Sequence, residues 1–157
     1  VKWPNDILVG ERKLAGILIQ ARTEGRDVLW IVAGFGINVH RPEGEIPEEI
    51  SNGIAFGEDV CTDITTDRLA DAIVAGLRGR LISLDRAAWK RAMEEWTGYA
   101  SWNVIYTHRD GEGETRGTPV RLSEDGGLVL MTDRGEVTVY SGEVTEAVQS
   151  PESRVQR

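Results

Sequence analysis

Three apolar runs are crowded into the first 39 residues, and no other feature limits the fold of the chain so tightly. Ile7-Leu8-Val9 and Leu14-Ala15-Gly16-Ile17-Leu18-Ile19 flank the polar Gly10-Glu11-Arg12-Lys13. A second polar stretch, Arg22 to Asp27 with Gly25, leads to Val28-Leu29-Trp30-Ile31-Val32-Ala33 and directly on to Gly34-Phe35-Gly36-Ile37-Asn38-Val39. Apolar runs of strand length separated by glycine-bearing polar breaks predict a β-hairpin extended into a three-stranded meander. Runs this continuously apolar predict a sheet covered on both faces, or a strand buried at its centre. None approaches the ~20 residues needed to cross a bilayer, so a membrane protein is excluded.

The rhythm then changes twice. Arg41 to Ser51 is rich in Pro, Glu and Gly and reads as a surface loop. Further on, Thr66 can cap a helix beginning at Asp67, whose carboxylate suits the positive end of the helix dipole. Leu69, Ile73, Leu77, Leu81 and Leu84 form one apolar stripe, expected to be core. A second helix is expected from Arg86 to Trp96, with Trp89, Met93 and Trp96 on one face and Thr97-Gly98 ending it. After residue 100 come short strands at Asn103–Thr107, Arg116–Leu122, Leu128–Thr132, Glu136–Tyr140 and Glu143–Ala147. Tight turns at Asp110-Gly111-Glu112-Gly113, Glu124-Asp125-Gly126-Gly127 and Asp133-Arg134-Gly135 separate them, which predicts a small barrel that closes on itself. The fold class is α+β.

Eighteen basic and 26 acidic residues give a net charge of −8, unevenly spread: residues 1–41 carry +2 and the remainder −10. A site for an anionic ligand therefore belongs near the front, and binding of nucleic acid through this segment is disfavoured. One cysteine, Cys61, and two separate histidines, His40 and His108, exclude an internal disulfide and a zinc cluster. With no signal or lipidation motif, the expected location is cytoplasmic. The chain opens at Val1-Lys2-Trp3-Pro4, inside what reads as a motif, and is expected to be a piece of a longer protein.

Lys2-Trp3-Pro4-Asn5-Asp6 offers a cation, a flat aromatic, a rigid turn, an amide and a carboxylate in five residues. Proline fixes the turn, and an aspartate facing a nucleotide can hold Mg²⁺ directly or through water. The plain alternative is a Pro-Asn-Asp turn beside a partly buried tryptophan. In Arg12-Lys13-Leu14-Ala15-Gly16, a lysine at a hairpin edge can reach a carboxylate or phosphate, and Gly16 lets a ligand approach the strand backbone. Taken alone, this is also what a solvated turn looks like. Gly34-Phe35-Gly36 is not followed by a helix, so a dinucleotide fold is excluded.

Order and spacing together are more specific. KWPND at 2–6, RKLAGILI at 12–19 and GFGINV at 34–39, with a small terminal barrel ending in Ser141-Gly142-Glu143-Val144, resemble the biotin protein ligases over residues 1–148. The resemblance implies part of a mixed-sheet ligase catalytic domain at 1–98, an SH3-like domain at 102–148 and a tail at 149–157. It implies ATP-dependent formation of biotinyl-5′-AMP and transfer of biotin to one lysine of a biotin carboxyl-carrier protein domain. Lys13 would contact the biotin carboxylate and the adenylate, and Asp6 would sit at the nucleotide and metal side and orient the carrier lysine. Gly16, Leu18, Gly34 and Ile37 would line biotin; Lys2, Asn5 and Asn38 would line the nucleotide; Asp6 would hold Mg²⁺.

The family also carries an Arg-Gly loop and a glutamine upstream of KWPND that grip biotin. A chain without them is expected to bind biotin weakly, to make no adenylate, and to expose apolar sheet surface. Where some relatives place an arginine after the Gly-Glu pair, this chain reads Thr145-Glu146-Ala147. The resemblance allows a homodimer. A lipoate-type ligase, sharing the adenylation chemistry, and a non-catalytic docking module built on the small barrel are the alternatives.

Overall fold

The computed structural model describes residues 1–148 except 83–84, 103, 111–112 and 141–142, and gives 110 and 143–148 as backbone only. The chain divides into two compact units: Lys2 with residues 4–85, and Val1 and Trp3 with residues 86–157.

The first unit is built on the expected meander. Strands β1 (Asp6–Val9), β2 (Arg12–Glu24) and β3 (Asp27–Ile37) pair antiparallel in the order β1-β2-β3. Gly10, at φ 61°, makes the two-residue turn between Val9 and Arg12, a left-handed conformation that glycine adopts without steric cost. The expectation of a sheet covered on both faces does not hold. Leu18, Ile19, Val28 to Val32 and Phe35 are all exposed, on β2 and β3 alike. The exposed apolar sheet surface that the sequence also led us to expect is present on both strands.

Beyond β3 lie the one-turn helix α1 (Glu48–Ser51), a 3-10 turn at Gly57–Asp59 and helix α2 (Thr66–Leu81). Thr65, not Thr66, caps α2: its backbone is extended and its Oγ1 accepts from the Arg68 N–H at 3.3 Å. Of the expected stripe, Leu69, Ile73 and Leu77 are half-buried and Leu81 is exposed; Leu84 lies outside the described residues. The stripe is therefore not core among the described residues, since α2 buries none of its side chains.

In the second unit, α3 (Arg86–Tyr99) precedes β4 (Val104–Asp110), β5 (Gly113–Leu122), β6 (Leu128–Thr132), β7 (Gly135–Val139) and β8 (Glu143–Val148). Helix α3 runs through Thr97-Gly98 to Tyr99 rather than ending there, and Thr97 Oγ1 donates back to the Met93 carbonyl at 2.8 Å. The strands form one antiparallel sheet ordered β7-β6-β5-β4-β8. The expected closed barrel is not formed among the described residues: β8 gives its ladder to β4, leaving β7 and β8 as the two edges. The turn at Asp110 to Gly113 and the Ser141-Gly142 pair fall partly or wholly outside the described residues.

The core of this unit is Trp3, Tyr106, Leu128, Leu130 and Val139, with Trp96, Trp102, Val104 and Leu122 packed against it. Trp96 meets Trp102 edge-on, with ring centroids 6.2 Å apart. Gly117 is opposite the buried Tyr106, and a Cβ there would stand 2.7 Å from the Met131 carbonyl oxygen and 3.0 Å from Leu130 Cβ. Those neighbours are strand backbone and core and cannot yield. Gly117→Ala is expected to destabilise the protein by about 1–3 kcal/mol, as overpacking does, measured by urea denaturation.

Candidate functional site

The front motif begins with a closed turn. Lys2 N–H donates to Asp6 O at 2.9 Å and Asp6 N–H to Lys2 O at 3.0 Å, so Trp3-Pro4-Asn5 form the loop between them. Asn5 continues the pairing into β2: its Nδ2 donates to Ile17 O at 2.8 Å, and the Ile17 N–H donates to Asn5 O at 3.0 Å. The tryptophan goes elsewhere. Trp3 is 5% exposed in the core of the second unit, and its Nε1 donates to Gly126 O at 3.2 Å. The plain alternative for this residue, a buried structural tryptophan, is what the structure contains.

The pairing of β1 with β2 carries one irregularity with chemical consequences. Asp6 is opposite Gly16 and Ile7 opposite Ala15, but Leu8 is opposite Lys13, so Leu14 is an extra residue on β2. A bulge of this kind shifts the alternation by one. Lys13 and Gly16, three apart in sequence, thereby share the face of Asp6. Lys13 Nζ reaches Asp6 Oδ1 at 2.6 Å; the lysine side chain is 50% exposed and the aspartate side chain 19%. On the same face β3 contributes Gly36 opposite Gly16, and Gly34 opposite Leu18. Asn5, Gly16, Leu18, Gly34 and Gly36 are among the lining of an open groove of about 460 Å³.

The bulge is held from below. Asn38 N–H donates to Leu14 O at 2.9 Å, and Asn38 Nδ2 donates to Lys13 O at 3.2 Å. Residues 53–55 grip the same peptide: Lys13 N–H donates to Gly53 O at 2.7 Å and Ala55 N–H to Lys13 O at 2.9 Å. The Lys13 N–H and the carbonyls of Lys13 and Leu14 are thus paired outside the β1–β2 ladder, as an irregular backbone needs. Nothing in the sequence singled out 53–59, where Ala55, Phe56 and Gly57 are buried. Asp59 ties that segment to β2 and to Arg41: it accepts from Phe56 N–H at 3.1 Å, pairs with Arg12 at 3.3 Å and is bound by Arg41, which also lies over the Phe56 ring.

The Phe56 N–H, with the Arg41 and Arg12 charges adding to it, holds the Asp59 carboxyl below the usual carboxylate range. A depressed carboxyl contributes stability that is present above its ordinary range and lost as pH falls through its folded value. The Phe56 amide resonance is expected to move with pH only below the ordinary carboxylate range. In Asp59→Asn that movement disappears.

The structure therefore gathers Lys2, Asp6, Lys13, Gly16, Leu18 and Gly34 on one face and leaves Ile37 off it. Ile37 is paired with Ala15, which alternates to the opposite face, so only its backbone can meet a ligand in the groove. Asn5 and Asn38 lie at the site, but their amides brace β2 and the bulge. Among the described residues no three metal-binding side chains cluster. Asp6 alone, with one oxygen on Lys13, suits a magnesium ion that arrives on phosphates with its own waters rather than a protein cage.

A larger cavity of about 830 Å³ lies in the second unit between α3 and β5, lined by Trp89, Met93, Val120 and Leu122. Arg86 pairs with Glu124 at 3.7 Å and Lys90 with Glu94 at 3.9 Å at its rim, and these side chains are more exposed than the Lys13–Asp6 pair. None of the described helices is long and apolar enough to cross a membrane.

Residues 1–38 match the model of the biotin/lipoate A/B protein ligase family. Over 153 residues the chain is 25% identical to the bifunctional ligase/repressor BirA of Bacillus subtilis, covering 92% of this chain and 45% of that protein. It is 22% identical over 147 residues to the biotin–[acetyl-CoA-carboxylase] ligase of Paracoccus denitrificans, covering 92% of this chain and 61% of that one. The solved biotin protein ligase of Aquifex aeolicus in complex with biotin and ATP superposes with a TM-score of 0.74 at 26% identity, over 95% of this chain and 62% of that one. The chain spans about half the length of the Bacillus relative.

Proposed function

We propose that this chain belongs to the biotin protein ligases and carries the lysine-bearing part of a site that joins biotin to AMP and passes it to a carrier protein. The chief support is the Lys13–Asp6 pair, set by a β-bulge on a glycine-floored face of the front sheet. In this reading the catalytic part is 1–98 and the SH3-like part 102–148.

In the first step a biotin carboxylate oxygen attacks the α-phosphorus of ATP. A C(O)–O–P bond forms, the bond to the β-phosphate oxygen breaks, and pyrophosphate leaves with the electron pair. Both reactants are anions, so bringing them together needs fixed positive charge. Lys13 supplies it at the reacting oxygens and Lys2, opposite Asp6, adds charge on the phosphate side. Magnesium, held through Asp6, would neutralise the polyphosphate. In the second step the carrier lysine amine attacks the acyl carbon, the C–O bond to AMP breaks, and Asp6 orients the amine and receives its proton. Gly16, Leu18 and Gly34 form the floor beneath biotin, and Asn5 and Asn38 stand at the nucleotide wall.

The partner is a biotin carboxyl-carrier domain, in the cytoplasm where ATP is supplied, and the exposed β3 edge is compatible with a homodimer. Biotin-dependent ATP–pyrophosphate exchange tests the activity, with the chain fused behind the segment that the family carries upstream of KWPND. Exchange dependent on biotin and Mg²⁺ is expected. Exchange driven by lipoate instead would reassign the substrate. A folded fusion that exchanges with neither would leave the chain a docking module.

A further inference from the structure

We infer that Gly16 is a positioning residue whose missing side chain is the space in which the Lys13–Asp6 pair lies. This rests on the reading of Lys13 as the ligand-contacting lysine. Without the Leu14 bulge, Lys13 and Gly16 would sit on opposite faces of β2; with it, Lys13 folds back over Gly16 to meet Asp6, which is directly opposite that glycine. A Cβ at residue 16 would stand 3.3 Å from Lys13 Nζ, 3.4 Å from Lys13 Cε and 3.5 Å from Asp6 Oδ1. The three nearest neighbours are thus all atoms of the ion pair, and none belongs to the backbone.

That distribution decides what gives way. At Gly117 the intruding atom would meet strand backbone and the core, and the fold itself is strained. At Gly16 it would meet the far end of a flexible, half-exposed lysine, which moves at little cost. Since alanine has, if anything, the better strand propensity, the sheet stays folded while the lysine tip gives by a few tenths of an ångström and its hold on Asp6 loosens; valine, larger still, displaces it. Gly36, one strand over on the same rung, is the internal comparison. A Cβ there would be 3.9 Å from Gly16 O, an ordinary contact that touches neither charge. Glycine at 16 therefore serves the orientation of the lysine, in addition to any backbone approach of biotin.

The test uses the 157-residue chain with ¹⁵N-labelled lysine. A lysine ammonium held in an ion pair gives an Nζ signal that a freely rotating, solvent-exchanging one does not, and loss of one signal in Lys13→Arg assigns it. Gly16→Ala is expected to weaken the Lys13 signal and Gly16→Val to abolish it, as Asp6→Asn does, with no further change in the Asp6→Asn/Gly16→Val double variant. Gly36→Ala is expected to keep the signal. Should Gly16→Val not fold, Gly16→Ala decides the matter. An unchanged Lys13 signal in a folded Gly16 variant overturns the proposal, and so does equal loss in Gly36→Ala, which would mean general distortion of the sheet.

A second readout separates this inference from the functional reading. Affinity for biotinyl-5′-AMP is expected to fall about tenfold in Gly16→Val and by less when the same change is made in Lys13→Ala, where only crowding of the biotin floor is left. Absence of any biotinyl-5′-AMP binding would contradict the functional reading, while the ammonium signal would still decide whether Gly16 positions Lys13.

Discussion

Lys13→Ala is expected to lower biotin-dependent ATP–pyrophosphate exchange by about 10²–10³-fold, the effect of removing one donor aimed at developing charge in a transition state. The measurement is made in the fusion that supplies the family's upstream segment. The size follows from the geometry: Lys13 is the cation that the bulge turns onto the glycine-floored face, and its backbone is fixed by Gly53, Ala55 and Asn38. Most of the loss is expected in kcat, because the charge it meets grows as the carboxylate and α-phosphate approach each other. Lys13→Arg restores only part of the rate, since a planar guanidinium cannot take the ammonium's place against Asp6. Exchange by Lys13→Ala within threefold of the parent would remove Lys13 from the chemistry.

Trp3→Ala is expected to cost about 3–5 kcal/mol, as loss of a buried aromatic does, against a total stability of about 5–15 kcal/mol for a domain. Trp3 packs with Tyr106, Leu128, Leu130 and Val139, and its indole N–H satisfies the Gly126 carbonyl. Alanine leaves a cavity and an orphaned acceptor together. Trp3→Phe fills most of the volume and loses chiefly the hydrogen bond, so it is expected to cost about 1–2 kcal/mol. Urea denaturation followed by far-ultraviolet circular dichroism measures both. A midpoint unchanged in Trp3→Ala would mean that this tryptophan is not a core residue. The expected result makes the aromatic of KWPND structural, although it adjoins the residues assigned to the ligand.

How far the sequence revealed this molecule differs from element to element. The meander was legible because Gly10 and Gly25 stand between apolar runs, and both occupy left-handed turn positions. The α2 cap was displaced by one because Thr65 and Thr66 are chemically equivalent, and only the extended backbone at Thr65 decides between them. Gly98 read as a stop, but α3 continues past it to Tyr99. Closure of the small sheet was overestimated, because strand spacing does not say which strand β8 will choose.

At the site, the residue types were legible and their faces were not. Strict alternation puts Lys13 and Gly16 on opposite sides of β2, and no spacing rule announces the extra residue at Leu14. Ile37 adjoins Gly36 in sequence yet faces away from the groove for the same period-two reason. Asn5 and Asn38 read as ligand amides, whereas their Nδ2 groups hold Ile17 and Lys13. The 53–55 support was invisible, because backbone bridging leaves no side-chain pattern.

The central claim is that the Lys13–Asp6 face receives the biotinyl adenylate. Calorimetric titration of biotinyl-5′-AMP into the chain fused behind the segment that the family carries upstream of KWPND, and into the Lys13→Ala form of that fusion, tests it most directly, with folding of both checked by circular dichroism. One-to-one binding by the fusion, weakened at least about tenfold in Lys13→Ala, is the predicted result, in line with loss of a charge-assisted hydrogen bond. Equal affinity in the two, or no binding by a folded fusion, would contradict it.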